Sequence, residues 1–109
     1  MKNKSVLLLG GSGTLGKSII AKLNENKYYN IFSPSSKKIN FNNKNIENKL
    51  FKFLKDNNFD IIINCSGIFG LNDANFNNIF NVNTLSNWII LKYYMYNNPI
   101  KKTKIIIIG

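Results

Sequence analysis

The residues of this chain with the clearest chemical potential are Gly10-Gly11-Ser12-Gly13-Thr14-Leu15-Gly16, which hold four of its seven glycines. They follow a compact apolar run, Val6-Leu7-Leu8-Leu9, and open a helical pattern, Lys17-Ser18-Ile19-Ile20-Ala21-Lys22-Leu23. A strand, a glycine-rich turn and a helix in that order form a phosphate-binding unit. The first helical turn has backbone N–H groups without intrahelical partners, and the helix dipole there favours negative charge. More than one phosphate loop fits. Gly11-x-Gly13-x-x-Gly16 is the dinucleotide fingerprint, whose glycines permit a tight turn, close approach of backbone to a pyrophosphate, and packing of helix on strand. Gly10-x-x-Gly13-x-x-Gly16 does the same work with the first glycine shifted. Gly11-x-x-x-x-Gly16-Lys17-Ser18 matches a nucleoside-triphosphate loop, in which Lys17 would reach the β/γ-phosphates and Ser18 would hold magnesium.

The remainder of the chain chooses between them. Magnesium–triphosphate chemistry needs an acidic residue ending another buried strand. Ile61-Ile62-Ile63 runs into Asn64-Cys65-Ser66, and Ile105–Ile108 runs into Gly109, so neither run supplies an Asp. Lys and Ser are common here, and a chance Gly-Lys-Ser needs no explanation. The dinucleotide reading is preferred, with a P-loop kinase or ATPase as an alternative.

Alternating strands and helices must position this turn. A first strand is expected at Ser5–Leu9 and a first helix over Thr14–Asn26, with Leu15, Ile19, Ile20 and Leu23 on one face. A short second strand, Tyr29–Ser33, ends at Pro34. Lys38–Phe41 reads as a weak third strand. Ile46, Leu50, Phe53 and Leu54 recur at helical spacing. Asp60–Ser66 is the fourth strand, and its unbroken β-branched run marks burial on both faces. A long helical region, Ala74–Asn97, is expected to break near Asn81–Asn83. Ile105–Ile108 is the fifth strand. The pattern predicts an α/β, Rossmann-type doubly wound parallel sheet in order 3-2-1-4-5, with the ligand at the carboxyl ends near the switch between strands 1 and 4. An apolar strand followed at once by Gly109 would be an uncovered edge, so the sheet is expected to be incomplete at its carboxyl end and the chain to be a fragment of a longer protein.

Bulk properties narrow the function. The 109 residues suit one domain, and 44% hydrophobic content can build a core. A net charge of +10 raises the question of nucleic acid, but every basic residue is Lys and the lysines are scattered. With Asn and Ile also over-used, an A/T-rich genome explains the bias, and no nucleic-acid partner is expected. There is no His and a single Cys, so no metal site and no internal disulfide are expected, and a reducing, cytoplasmic location follows. No segment approaches the about 20 apolar residues of a membrane span. Cys65 reads as inert packing beside a buried strand, and Trp88, Tyr93, Tyr94 and Tyr96 as helix residues packing on the sheet or on a partner subunit.

Several motifs now converge. Asp60-Ile61-Ile62-Ile63-Asn64-Cys65-Ser66-Gly67 resembles the fourth-strand motif of the short-chain dehydrogenase/reductase family, and Phe80-Asn81-Val82-Asn83-Thr84 resembles that family's V-N helix segment. Lys104–Gly109 resembles the strand before its catalytic serine. The resemblance covers essentially the whole chain as an amino-terminal, cofactor-binding half. It implies that Gly10, Gly13 and Gly16 shape the turn and that Ser12, Thr14 and Leu15 contact the pyrophosphate. It implies that Asn40 and Phe41 flank the adenine, and that Asn64, Cys65, Ser66 and Gly67 line the adenosine ribose. Asn83 matches the helix Asn that holds a water in the family's catalytic proton relay, the plainer reading being a helix cap or kink. At the end of the second strand, Ser33-Pro34-Ser35-Ser36-Lys37-Lys38 offers hydroxyls and cations where an NAD enzyme has an acid, which favours NADP, with NAD possible.

The family's chemistry uses a Ser and a Tyr-x-x-x-Lys pair. None of the five tyrosines is followed by Lys four residues on. The expected function is thus the cofactor half of an oxidoreductase, of the alcohol/ketone reductase or sugar-nucleotide reductase/epimerase type. A non-catalytic dinucleotide sensor is the alternative. Ile68–Asn72 is expected to border a small-molecule substrate whose identity the residues do not reveal, and Ala74–Asn97 is a candidate surface for self-association, since the long helix is a common dimer surface in the family.

Overall fold

The apolar runs become the strands of one parallel sheet. The computed structural model describes residues 3–35, 37–67, 76–97 and 102–108. Strands β1 (Lys4–Leu9), β2 (Tyr29–Phe32), β3 (Ile61–Asn64) and β4 (Lys104–Ile107) lie in the order β2-β1-β3-β4. Each neighbouring pair is parallel, with Val6 beside both Ile31 and Ile61, and Ile63 beside Ile106. The chain reverses its direction of travel across the sheet after β2, so a crevice opens at the carboxyl ends of β1 and β3.

Side-chain alternation along β1 builds two cores. Val6 and Leu8 point to one face with Ile63, against Ile19, Ile20 and Leu23 of α1 (Thr14–Asn24). Leu7 and Leu9 point to the other with Ile62, against Leu50 and Leu54 of α2 (Ile46–Asn57) and Ile89, Ile90 and Tyr93 of α4 (Ser86–Asn97). Helices thus cover both faces, which is why the central strands carry no polar alternation. Helix α2 ends at Asn58, whose left-handed φ of 47° lets its N–H bond Leu54 C=O at 3.0 Å.

The expected strand at Lys38–Phe41 does not form; the sheet holds the other four in their expected order. The segment is a chain of turns. Lys38 and Ile39 N–H both bond Ser35 C=O at 3.0 Å, and Asn40 and Asn43 accept from the backbone N–H two residues on at 2.9 Å. Asn side chains offered the backbone a local partner that competes with a ladder. Ile39 and Phe41, which suggested a strand, are instead the buried anchors of this loop.

The expected break near Asn81–Asn83 is a change of helix type. A short helix α3 (Phe76–Phe80) passes into a π-helical turn, Asn81–Leu85, and directly into α4. One extra residue per turn rotates the faces that precede and follow it. Ala74 and the segment Ile68–Asn72 lie outside the described residues, as do Ser36 and Gly109.

Candidate functional site

The turn after β1 is built by two glycines whose missing Cβ atoms decide its shape. Gly10 adopts φ +84°, and a Cβ there would stand 2.6 Å from Ser66 N and 2.7 Å from the Cys65 carbonyl. A Cβ on Gly16 would lie 2.1 Å from Gly10 O, so α1 rests directly on the turn backbone. Gly10, not Gly11, therefore supplies the positive φ, and the working spacing is Gly10-x-x-Gly13-x-x-Gly16. Gly11 is enclosed: its Cβ would meet Ser33 Oγ at 2.0 Å. Gly13 is different again. It is the N-cap of α1 with ordinary φ −76°, and a Cβ would meet only Gly10 O, at 3.7 Å.

A cavity of about 810 Å³ opens beside this turn. Its near wall is Gly10, Gly11 and Ser12, and its floor runs along Ser66 and Gly67. Its far wall is Ser33, Pro34, Ser35 and Lys37 from the end of β2, with Asn40 and Phe41 from the loop beyond. Among the described residues no acidic side chain lines it, and none lies in the first turn of α1. Helix α1 has no side-chain cap bond, so the N–H groups of its first turn face outward without a capping side chain.

Of the residues expected at the site, Gly10, Ser12, Ser33, Asn40, Phe41, Ser66 and Gly67 line this cavity. Gly13 and Gly16 shape the turn, while Thr14 and Leu15 begin α1 and are exposed. Asn64 and Cys65 are turned elsewhere. The Asn64 amide is buried and donates to Ser86 Oγ at 3.0 Å. The Cys65 thiol donates to Leu9 C=O at 3.0 Å. Burial pushes its pKa up, against the opposing pull of a hydrogen bond with its own backbone. Asn83 is exposed on the π-turn, with Oδ1 3.6 Å from where a Gly67 Cβ would stand. Lys37 and Lys38 also part ways: Lys37 lines the cavity, whereas the Lys38 ammonium sits over the Phe53 ring at 5.5 Å from its centroid.

Asn42 and Asn78 line the cavity without having been singled out in the sequence, and Val82, which also lines it, had appeared only as part of the V-N segment. Asn42 donates to Asn78 Oδ1 and accepts from Asn81 Nδ2 at 3.0 Å, tying the loop to α3 and the π-turn. In so Asn-rich a chain these residues look like background; only the spacing Asn78–Val82, four apart on one helical face, hinted that both meet the same surface. Ser18, the magnesium ligand of the triphosphate reading, donates back to Thr14 C=O at 3.0 Å, and Lys17 is exposed. Among the described residues no helix is long and apolar enough to cross a membrane.

Comparison with known proteins sets this geometry in context. The sequence model of the NAD dependent epimerase/dehydratase family matches residues 6–106. No curated protein gives a significant match. Among solved structures, the chain is similar to a dTDP-4-dehydrorhamnose reductase from Bacillus anthracis in complex with NADP, at 18% identity and TM-score 0.75, covering 96% of this chain and 35% of that one. It is similar to a GDP-6-OMe-4-keto-L-xylo-heptose reductase from C. jejuni, at 18% identity and TM-score 0.79, covering 100% and 30%. It is also similar to a short chain dehydrogenase family protein from Francisella tularensis, at 20% identity and TM-score 0.73, covering 98% and 51%. At these identities the likeness is one of fold. The chain spans about a third of the length of the two sugar-nucleotide reductases.

Proposed function

We infer the function from one premise: this chain belongs to the NAD dependent epimerase/dehydratase family. It is the dinucleotide-binding part of an NADP-dependent reductase of sugar nucleotides. The observation that carries the reading is the cavity itself, with a glycine turn and an uncapped helix start on one side and an acid-free wall of Ser33, Ser35 and Lys37 on the other. The residues fit the cofactor. Gly13, whose Cβ would meet only Gly10 O at 3.7 Å, leaves room where a pyrophosphate would meet the N–H groups of the first turn of α1. Lys37 and the two serines offer a cation and hydroxyls to a 2′-phosphate where an acid would repel it. Asn40 and Phe41 offer an amide and a ring edge to the adenine.

When bound, the nicotinamide supplies hydride chemistry to the whole protein. This chain's residues bind and orient; Asn83, beside Gly67, is assigned to holding a water near the reacting end. The Tyr-x-x-x-Lys pair is absent from these 109 residues, so the proton donor of the reaction is assigned elsewhere in the whole protein. The similarity to two reductases of nucleotide-linked sugars supports that substrate class. We place the protein in the cytoplasm, on the strength of its lone Cys. We also assign self-association to the outer face of α4.

Titration of NADPH and NADH, followed by quenching of Trp88 or by calorimetry, tests this. NADPH is expected to bind about tenfold tighter, and Lys37→Ala to erase most of that difference while Lys38→Ala preserves it. Equal or tighter NADH binding overturns the NADP assignment. ATP–magnesium binding that collapses in Lys17→Ala replaces the reading altogether.

A further inference from the structure

Ser86 is fully buried at the start of α4 and has no part in the site described above. It belongs to a hydrogen-bonded circuit with Asn64 and Asn87. The Asn64 amide nitrogen donates to Ser86 Oγ at 3.0 Å and to Asn87 Oδ1 at 2.5 Å. Asn64 Oδ1 accepts from Ser66 N–H at 3.1 Å. The Ser86 hydroxyl donates to Val82 C=O at 2.6 Å, and the Asn87 amide donates to Asn83 C=O at 3.2 Å. Both amide hydrogens and the carbonyl of Asn64 are thereby used, which fixes the orientation of its amide. Every buried side-chain N or O atom among the described residues has a partner.

This circuit joins two parts of the cavity lining. Ser66, held by Asn64, is part of its floor, and Val82, held by Ser86, is part of its α-helical side. Asn83 stands on the same π-turn with its Oδ1 against Gly67. A hydroxyl that bonds the carbonyl four residues back loosens regular helical geometry, and a π-turn is the local form that geometry takes here. A hydroxyl is the one small group that can accept from Asn64 and donate to Val82 at once.

We propose that Ser86 is a positioning residue of the dinucleotide site: through Asn64 and Val82 it holds the π-turn so that Val82 and Asn83 stand against Ser66-Gly67. The inference rests on the dinucleotide reading for its binding consequence, but its structural half stands alone. In Ser86→Ala the Val82 carbonyl and one Asn64 N–H lose a buried partner, and the π-turn is free to relax toward regular helix.

The test uses the 109-residue chain with Ser86→Ala, Ser86→Thr and Ile90→Val. Ile90 is equally buried in α4 but lines no part of the cavity, so its variant controls for lost packing. NADPH affinity is expected to fall about fivefold in Ser86→Ala, to be restored by the Thr hydroxyl, and to be unchanged in Ile90→Val. Amide hydrogen exchange gives the second measurement. Val82–Asn87 should lose protection in Ser86→Ala more than Ile89–Tyr93 do. Unchanged affinity in Ser86→Ala, or an equal fall in Ile90→Val, overturns the positioning role. If the unmodified chain binds no dinucleotide, the functional reading fails, and exchange alone decides the inference: uniform loss of protection along α4 overturns it, and loss confined to the π-turn supports it.

Discussion

Glycines of one loop divide into those that serve the fold and those that serve a ligand. Gly16 and Gly10 have backbone atoms within 2.1 and 2.6 Å of a would-be Cβ, whereas Gly13 has only an ordinary contact at 3.7 Å. Gly16→Ala must therefore push α1 off the turn, and is expected to cost about 1–3 kcal/mol in urea unfolding and to abolish NADPH binding with it. Gly13→Ala should leave the unfolding midpoint almost unchanged and still weaken NADPH about tenfold or more, because its methyl occupies the approach to the first-turn N–H groups. If both variants lose stability equally, the ligand role of Gly13 fails. Cys65 gives a second outcome at this scale. Burial holds its pKa above the ordinary thiol value, so in the folded chain the nucleophilic thiolate forms only at higher pH. Iodoacetamide should react more slowly with the folded than with the urea-unfolded chain throughout the neutral to mildly alkaline range. The sign for stability follows: the unfolded thiol ionises first as pH rises, so this contribution to stability is lost above the ordinary thiol value. Equal rates in both states contradict the burial.

Elements with a strong apolar period were legible in the sequence, and those governed by side chain–backbone competition were not. The Ile61–Ile63 run read as a strand buried on both faces, and Ile62 and Ile63 are buried; Val6–Leu9 read as an apolar strand and is buried throughout, because nothing polar interrupts either run. Leu50 and Leu54 read as one helix face and are fully packed under the sheet; Leu50→Ala should cost about 2–5 kcal/mol by calorimetry with α1 and β2 unaffected in structure. Lys38–Phe41 failed as a strand because Asn40 and Asn43 satisfy the neighbouring N–H groups locally, a bond that residue spacing does not display. The π-turn was visible only as a disturbance near Asn81–Asn83, since the period of apolar residues records a change of face and not the extra residue that causes it. The site followed the same division. Gly10, Ser12 and Ser33, singled out from local sequence, line the cavity, whereas Asn42 and Asn78 come together across 36 residues and had no local signature.

At the scale of the whole molecule, β4 and α4 each leave an apolar surface facing outward among the described residues, and the two imply different assemblies. Ile106 and Ile107 of β4 are 40% and 41% exposed at one edge of the sheet. On α4, Trp88, Leu91 and Met95 are 51%, 38% and 62% exposed and recur at i, i+3 and i+7, a stripe turned away from the buried Ile89, Ile90 and Tyr93. A helix apolar on both faces is one whose outer face is normally covered. A strand edge pairs without a closed endpoint and leads to growing aggregates, while a helical stripe pairing with its own copy about a two-fold axis closes at two. The helix is therefore the surface assigned to self-association. Sedimentation of the 109-residue chain over a range of concentrations should show a monomer–dimer equilibrium, and Trp88→Lys with Met95→Lys should shift it at least tenfold toward monomer without altering NADPH affinity, since neither residue borders the cavity. Ile106→Lys should reduce larger aggregates and leave the dimer intact. A chain that sediments as monomer at every concentration, or a dimer lost through Ile106→Lys alone, moves the interface off α4.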